Sequence, residues 1–140
     1  MKKILAAILA GLMALSMAAC GAAGSGTGDG SDKVYRVGII QLVTHDALDA
    51  ATKGFQDALT AELGEGSVKF DLQNAAGDSN TCATIVNSFV SNQVDLIMAN
   101  ATPALQAAAA ATAEIPILGT SVTEYGVAMG IDNFTGTVGG

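Results

Sequence analysis

The sequence is poor in positive charge and in cysteine. It has six Lys and Arg residues against thirteen Asp and Glu residues, which gives a formal net charge of −7 over 140 residues. Nucleic acids and anionic membrane surfaces are bound by basic faces, so this balance excludes nucleic acid as a partner. Two cysteines are too few for a disulfide-dense secreted scaffold. The apolar content of 50% excludes a wholly disordered chain.

Groups that carry catalysis or bind metals are also scarce. His45 is the one histidine, and no spacing of Cys, His, Asp and Glu predicts a zinc or calcium site. A triad of Ser121, His45 and Asp46 is conceivable, but the sequence has no G-x-S-x-G segment. The Gly-rich segment 24–30 precedes the first predicted strand, whereas a phosphate-binding loop follows a strand. We therefore predict that the chain is not an enzyme and uses no metal and no cofactor.

The first residues predict export and a lipid anchor. Two lysines precede an apolar run over 4–14, which is too short to span a membrane and is typical of a secretory signal. Segment 17–21 (MAACG) resembles the bacterial lipobox, in which Cys20 becomes the acylated first residue; an ordinary signal cleaved nearby is the alternative. We interpret residues 1–19 as a lipoprotein signal peptide and residues 20–33 as the acylated cysteine and a flexible Gly/Ser linker. The membrane is then contacted through the lipid anchor only.

From residue 34 onward, strand and helix patterns alternate at short spacing. Strands are predicted over 34–42, 68–72, 94–99 and 115–118, with 127–131 as a candidate fifth strand. Helices are predicted over 46–63, from 78 or 79 through the apolar face that ends at 90, and over 102–113. This alternation predicts an α/β fold with an open parallel sheet and helices on both faces.

The helix ends carry their own signals. Thr44 or Asp46 is expected to cap the first helix, and Gly64 to end it. Thr102 is expected to cap the third helix, with Pro103 at its first position. Cys82 is predicted to lie on the buried face of the second helix as a small apolar residue.

The candidate site lies at the carboxyl ends of the strands, where open parallel sheets bind their ligands. The loops concerned are 41–46, 74–79, 100–103 and 119–124, which hold mostly neutral hydrogen-bonding residues.

Three residues of these loops keep two interpretations each. His45 is either a solvated residue near a helix start or a donor that lines a pocket. Thr102 either caps its helix only, or stands at a helix start whose backbone N–H groups also bind a ligand carboxylate. Glu124 either accepts a bond from a ligand ammonium or is an exposed acid.

Taken in order, these segments resemble the bacterial ABC-transporter substrate-binding lipoproteins of the tryptophan/tyrosine-binding type. The resemblance runs from about Val34 to the end of the chain. The matching stretches are YRVGIIQLV at 35–43 with His45, ALDAA at 47–51, GF at 54–55, NAAGD at 74–78, VDLI at 94–97, ATPA at 101–104, IPI at 115–117 and SVT at 121–123.

The resemblance implies a type I periplasmic-binding-protein fold, in which two α/β lobes close on a ligand by a hinge motion. It implies capture of a small solute, often an aromatic amino acid, and delivery to the permease and ATPase subunits of an ABC importer. The ligand-binding residues would be Gln41, His45, Thr102, Pro103, Ser121, Val122 and Thr123.

Such proteins are longer than this chain, so we expect residues 34–140 to be most of an incomplete amino-terminal lobe that binds ligand weakly or not at all by itself. The expected location is the outer face of the cytoplasmic membrane or the periplasm. Three alternatives remain: a ligand sensor on the same fold, a secreted α/β enzyme whose catalytic residues lie beyond residue 140, and a free-standing one-lobe interaction protein.

Overall fold

A computed structural model describes residues 33–130 of the chain. The predicted signal peptide, Cys20 and nearly all of the predicted linker lie outside these residues. The elements in chain order are β1 (Tyr35–Gln41), α1 (Asp46–Leu63), β2 (Val68–Asn74), α2 (Ser79–Ser91), β3 (Leu96–Asn100), α3 (Thr102–Ala111), β4 (Ile117–Thr120) and α4 (Tyr125–Met129).

The four strands form one parallel sheet in the order β2-β1-β3-β4. Gln41 at the end of β1 pairs with Asn74 on one side and with Asn100 on the other, and Asn100 pairs with Thr120. The strands therefore end in a single row, and the predicted open parallel sheet is confirmed.

Alternate residues of the strands face different helices, as the two-residue period of a strand requires. Ile39 faces α1, whose Phe55 and Leu59 cover it, and Ile40 faces α2 and α3. Both isoleucine side chains are fully buried, and burial of one such side chain contributes about 1.5–3 kcal/mol. Helices thus cover both faces, α1 on one and the α2–α3 pair on the other.

The candidate fifth strand is wrong where the structure describes it, because Tyr125–Met129 is the short helix α4. The hydroxyl of Tyr125 donates to the Gly119 carbonyl at 2.7 Å, and Nε2 of Gln106 donates to the Ala128 carbonyl at 3.1 Å. Ala128 is packed into the core beside α3. A five-residue apolar run has no period of its own that separates helix from strand, so these contacts decide its conformation.

The boundary between α3 and β4 also differs from the prediction. Helix α3 ends at Ala111, two residues before the predicted end. Strand β4 begins at Ile117, two residues after the predicted start. The Thr112 hydroxyl oxygen accepts from the backbone N–H groups of Glu114 and Ile115, at 3.1 and 3.2 Å. This turn holds Ile115 out of the strand.

Candidate functional site

A row of polar residues marks the carboxyl end of every strand: Asn74, Gln41, Asn100 and Thr120. Backbone hydrogen bonds join the loops that follow them, from Leu42 N–H to the Asn100 carbonyl at 3.2 Å and from Ala101 N–H to the Thr120 carbonyl at 2.9 Å. The four loops that the sequence indicates therefore lie along one edge of the sheet.

His45 begins α1 at this edge. Its backbone is extended, and its Nδ1 accepts from the Ala47 backbone N–H at 3.2 Å, so it is the cap in place of the predicted Thr44 or Asp46. The imidazole is exposed. Because Nδ1 accepts, Nε2 carries the hydrogen of the neutral ring and is the atom with which His45 can donate to a solute.

Helix α3 begins at the edge without a side-chain cap. The capping position is Ala101, and within the described part of the chain no side chain accepts from the first N–H groups, so the prediction that Thr102 caps the helix is wrong. The first intrahelical bond found runs from Leu105 N–H to the Ala101 carbonyl at 3.0 Å. Pro103 has no N–H and Ala104 is fully buried, so the donors open to a ligand at this helix start are the N–H group and the hydroxyl of Thr102, which is half-buried.

Backbone strain is concentrated at the same edge. Ala101 has φ 96° and Ser121 has φ 56°, and both follow directly after a strand. Non-glycine residues in such conformations cost about 1–3 kcal/mol and persist where the surrounding structure holds them. The two turns that carry Thr102 and Thr123 are therefore held in unusual conformations by their neighbours.

The remaining predicted residues, after β3 and after β4, have different surroundings. Ser121 and Thr123 are exposed, so their hydroxyl groups are open to solvent. Val122 is half-buried and packs against the core on the α2–α3 face. Pro103 is half-buried in the first turn of α3.

Gln41 differs from the other predicted site residues because its side chain is buried, with 4% exposed. Its Nε2 donates to the Val43 carbonyl at 2.9 Å and to Oδ1 of Asp49 at 2.5 Å. Its Oε1 accepts from the Thr52 hydroxyl at 2.7 Å. Both amide hydrogens and the amide oxygen are thus bonded inside the protein.

Sequence reasoning missed Thr52 beneath this edge, and it placed Asn100 in the loop 100–103 without assigning a role to its side chain. Thr52 is 3% exposed in α1, and Asn100 is fully buried at the end of β3. Nδ2 of Asn100 donates to the Leu48 carbonyl at 2.8 Å and to Oγ1 of Thr52 at 2.9 Å. A signal was present, because Thr52 interrupts the apolar stripe of α1 and a buried hydroxyl needs a partner.

Oδ1 of Asn100 is buried and has no hydrogen-bond partner among the residues that the structure describes. An unpartnered buried acceptor costs about 1–3 kcal/mol. A 180° flip of the amide would not remove this cost, because Oδ1 would then lie against the carbonyl oxygen of Leu48, which is also an acceptor. The bonds made by Nδ2 therefore fix the orientation of this side chain.

A cavity of about 450 Å³ lies between α1 and β2. Among residues 33–130, none that follows β3 or β4 lines it, so it is separate from the turns at Thr102 and Ser121. Its lining residues are Gln41, Thr44, Asp49, Thr52, Lys53, Gln56, Leu72 and Asn74.

Reactive groups are few in residues 33–130. Cys82 is fully buried as predicted, and burial, with a smaller effect of Asp78, raises the pKa of its thiol. A thiol in that state is a poor nucleophile. Within the same range, no cluster of His, Cys, Asp and Glu side chains could hold a metal ion. The helices described there include none with the length and apolar content to cross a membrane.

Comparison with known proteins connects this chain to a family. The family model for "ABC transporter substrate binding protein" matches residues 36–136. A curated "Tyrosine-binding protein" of Clostridioides difficile (strain R20291) is 40% identical over 99% of this chain and 44% of that protein.

Two solved structures share the fold of the described residues. One is the ligand-free, open structure of a substrate binding protein with adhesive properties from Clostridium difficile; it is 43% identical, with a TM-score of 0.65, over 68% of this chain and 33% of that chain. The other is an ABC domain from Streptococcus pneumoniae in complex with L-Trp, 36% identical with a TM-score of 0.66 over 69% and 33% of the two chains.

The chain thus spans less than half the length of the curated relative and a third of the solved chains that it matches. The matched proteins bind a substrate and are not enzymes, which confirms the prediction that this chain is not one. With the family model covering most of its length, the chain belongs to the ABC transporter substrate-binding protein family and carries part of a type I periplasmic-binding-protein fold.

Proposed function

We propose that the protein containing this chain captures an aromatic amino acid outside the cytoplasm and delivers it to the permease and ATPase subunits of an ABC importer. Substrate-binding proteins of ABC transporters are extracytoplasmic. The aromatic class is supported by the relatives, one of which is named for tyrosine and another of which holds L-Trp.

The observation that carries the proposal is the start of α3. Its first N–H groups have no side-chain cap, and they lie at the edge where an open parallel sheet binds ligands. The positive end of a helix binds a carboxylate without any Lys or Arg. The α-carboxylate of an amino acid would accept from the N–H group and the hydroxyl of Thr102.

The other predicted residues would contact the rest of the solute. Nε2 of His45 and the hydroxyl groups of Ser121 and Thr123 are donors at the same edge, and Pro103 and Val122 add apolar surface beside them. We assign Gln41 an indirect role, since its amide is bonded to Val43, Asp49 and Thr52.

The lipid anchor belongs to the same proposal. Residues 1–19 would be removed, Cys20 would carry the acyl chains, and residues 20–33 would link it to the lobe over 34–140. The mature protein would then sit on the outer face of the cytoplasmic membrane or in the periplasm. Mass spectrometry of the exported protein tests this, because an unmodified Cys20 would remove the anchor from the proposal.

Thr102→Ala tests the site in the complete protein. The hydroxyl makes no capping bond, so we expect the free energy of unfolding to stay within about 0.5 kcal/mol of the wild type. The dissociation constant for L-tyrosine or L-tryptophan should rise about tenfold or more, because a hydrogen bond to a charged group contributes about 1.5–3 kcal/mol. Isothermal titration calorimetry measures this constant.

The matched control is Thr60→Ala, in the last turn of α1 at the opposite edge of the sheet. It should leave the dissociation constant unchanged. Equal affinities for the wild type and Thr102→Ala would remove Thr102 from the site. A wild-type protein that binds neither amino acid would defeat the proposed solute class.

A further inference from the structure

A connected set of hydrogen bonds lies buried beneath the first half of α1. Nδ2 of Asn100 donates to Oγ1 of Thr52, and the Thr52 hydroxyl donates in turn to Oε1 of Gln41. Nε2 of Gln41 continues to the Val43 carbonyl and to Asp49. Thr52 is the middle link, bonded to both strand ends.

These bonds reach two of the loops at the candidate site, the one after β1 and the one after β3. Gln41 is the last residue of β1, and its bond to Val43 holds the loop that leads to His45. Asn100 is the last residue of β3 and immediately precedes Ala101 and Thr102. Its bond to the Leu48 carbonyl ties that strand end to the first turn of α1.

Packing alone does not explain a hydroxyl at position 52. Thr52 lies on the apolar stripe of α1, with Phe55 and Leu59 on the same side. Valine has the same shape as threonine and would fill this space without a polar atom to satisfy. The hydroxyl adds two directional hydrogen bonds, since it accepts from Asn100 at the end of β3 and donates to Gln41 at the end of β1.

We propose that Thr52 is a positioning residue, which fixes the loop of His45 relative to the turn of Thr102 and so presets the solute-binding edge. This inference rests on the proposed function for its effect on binding. The coupling of the loops after β1 and β3 through the Thr52 hydroxyl does not depend on any solute.

The first test compares Thr52→Val with Thr52→Ser in the complete protein by calorimetry with L-tyrosine and L-tryptophan. Thr52→Val removes the hydroxyl at constant shape and should raise the dissociation constant about tenfold. Thr52→Ser keeps the hydroxyl and should stay within about threefold of the wild type. Should Thr52→Val fail to fold, Thr52→Ala removes the same hydroxyl without placing a methyl group against Gln41 and Asn100.

A stability control separates positioning from a general loss of stability. Val86→Ala removes fully buried atoms on the opposite face of the sheet, so it should lower the melting temperature and leave the dissociation constant unchanged. If Thr52→Val lowers the melting temperature as Val86→Ala does and keeps wild-type affinity, the positioning role is wrong.

The second test needs no solute. Amide hydrogen exchange of the ligand-free protein should be faster in Thr52→Val over both 42–49 and 100–105, and unchanged there in Val86→Ala. Wild-type exchange in either segment would overturn the coupling. A wild-type protein that binds no amino acid would defeat the proposed function alone, and the exchange result would still decide the role of Thr52.

Discussion

Gly38 allows the ring of Phe89 to lie directly against β1. A Cβ atom placed on Gly38 would be 2.7 Å from Cγ and from Cδ2 of that ring, closer than real contacts allow. Phe89 is fully buried in the core between the sheet and α2, so it has no open space into which to move.

Gly38→Ala should therefore lower the free energy of unfolding, by about 1–3 kcal/mol, the usual cost of overpacking a core. Urea denaturation of the complete protein measures it. Gly54→Ala is the matched control, because at that position in α1 no atom of the described residues, apart from the adjoining helix backbone, lies within 4 Å of the added Cβ. It should stabilise the protein, by up to about 1 kcal/mol, since alanine is the better helix former. Equal effects of the two changes would contradict the close packing of Gly38.

At the scale of the residue, the sequence predicts which loops lie together better than it predicts which bonds each side chain makes. Polar residues after apolar strands were enough to predict the edge that holds His45, Thr102 and Ser121. The roles of Thr52 and Asn100 could not be read in the same way. Whether a polar residue in a helix is solvated or bonded depends on the strand end that it meets, and that pairing is set by the fold.

Asp95 joins the start of β3 to β1 at the edge opposite the candidate site. Its Oδ2 accepts from the Arg36 backbone N–H at 2.8 Å, and its own N–H donates to the Arg36 carbonyl at 2.8 Å. Lys33 lies 3.1 Å from its other oxygen. The bond from the Arg36 N–H, with the help of Lys33, lowers the pKa of the Asp95 carboxyl group below its usual value.

A pKa that is lower in the folded state stabilises the fold at pH values above the unfolded pKa, about 4 for Asp. That contribution is lost as the pH falls through the lower, folded pKa. We therefore expect the wild type to be more stable than Asp95→Asn at pH 7, and the difference to close as the pH falls below about 4. Urea denaturation at several pH values measures both proteins.

The control is Asp57→Asn, whose carboxylate pairs with Lys53 on the exposed face of α1. Exposed pairs contribute about 0–1 kcal/mol, so this change should be nearly neutral at pH 7. A difference between the wild type and Asp95→Asn that stays constant from pH 7 to the acid range would show that the charge of Asp95 does not stabilise the β1–β3 contact.

At the scale of the element, the long helix α1 and the first three strands were predicted well, whereas the start of β4 and the helix α4 were not. Helix α1 has the predicted bounds, because eighteen residues of apolar periodicity end at Gly64, which has φ 90°. Helix α4 was predicted as a strand, because a run of five residues is too short to show a helical or a strand periodicity. The contacts of Tyr125 and Gln106 determine its conformation. Strand β4 begins later than predicted because the Thr112 hydroxyl stabilises a turn that the apolar pattern at 115–118 does not indicate.

At the scale of the whole molecule, the parallel sheet places every polar strand end on one side. The registers Gln41 to Asn100 and Asn100 to Thr120 bring the loops after β1, β3 and β4 into one row. Alternation of strands and helices was sufficient to predict this arrangement, because right-handed crossovers leave few alternatives for such a chain. The proposed function requires that an aromatic amino acid binds along this row.

The most direct test is the change in backbone amide chemical shifts when L-tryptophan or L-tyrosine is added to the isotope-labelled complete protein. Within residues 33–130, we predict the largest changes at Thr102, Ala104 and Ser121 and in the loop before α1, and none at Ser67 or Glu114 on the opposite edge. Changes confined to the opposite edge, or to the cavity between α1 and β2 with none at Thr102 and Ala104, would contradict the account.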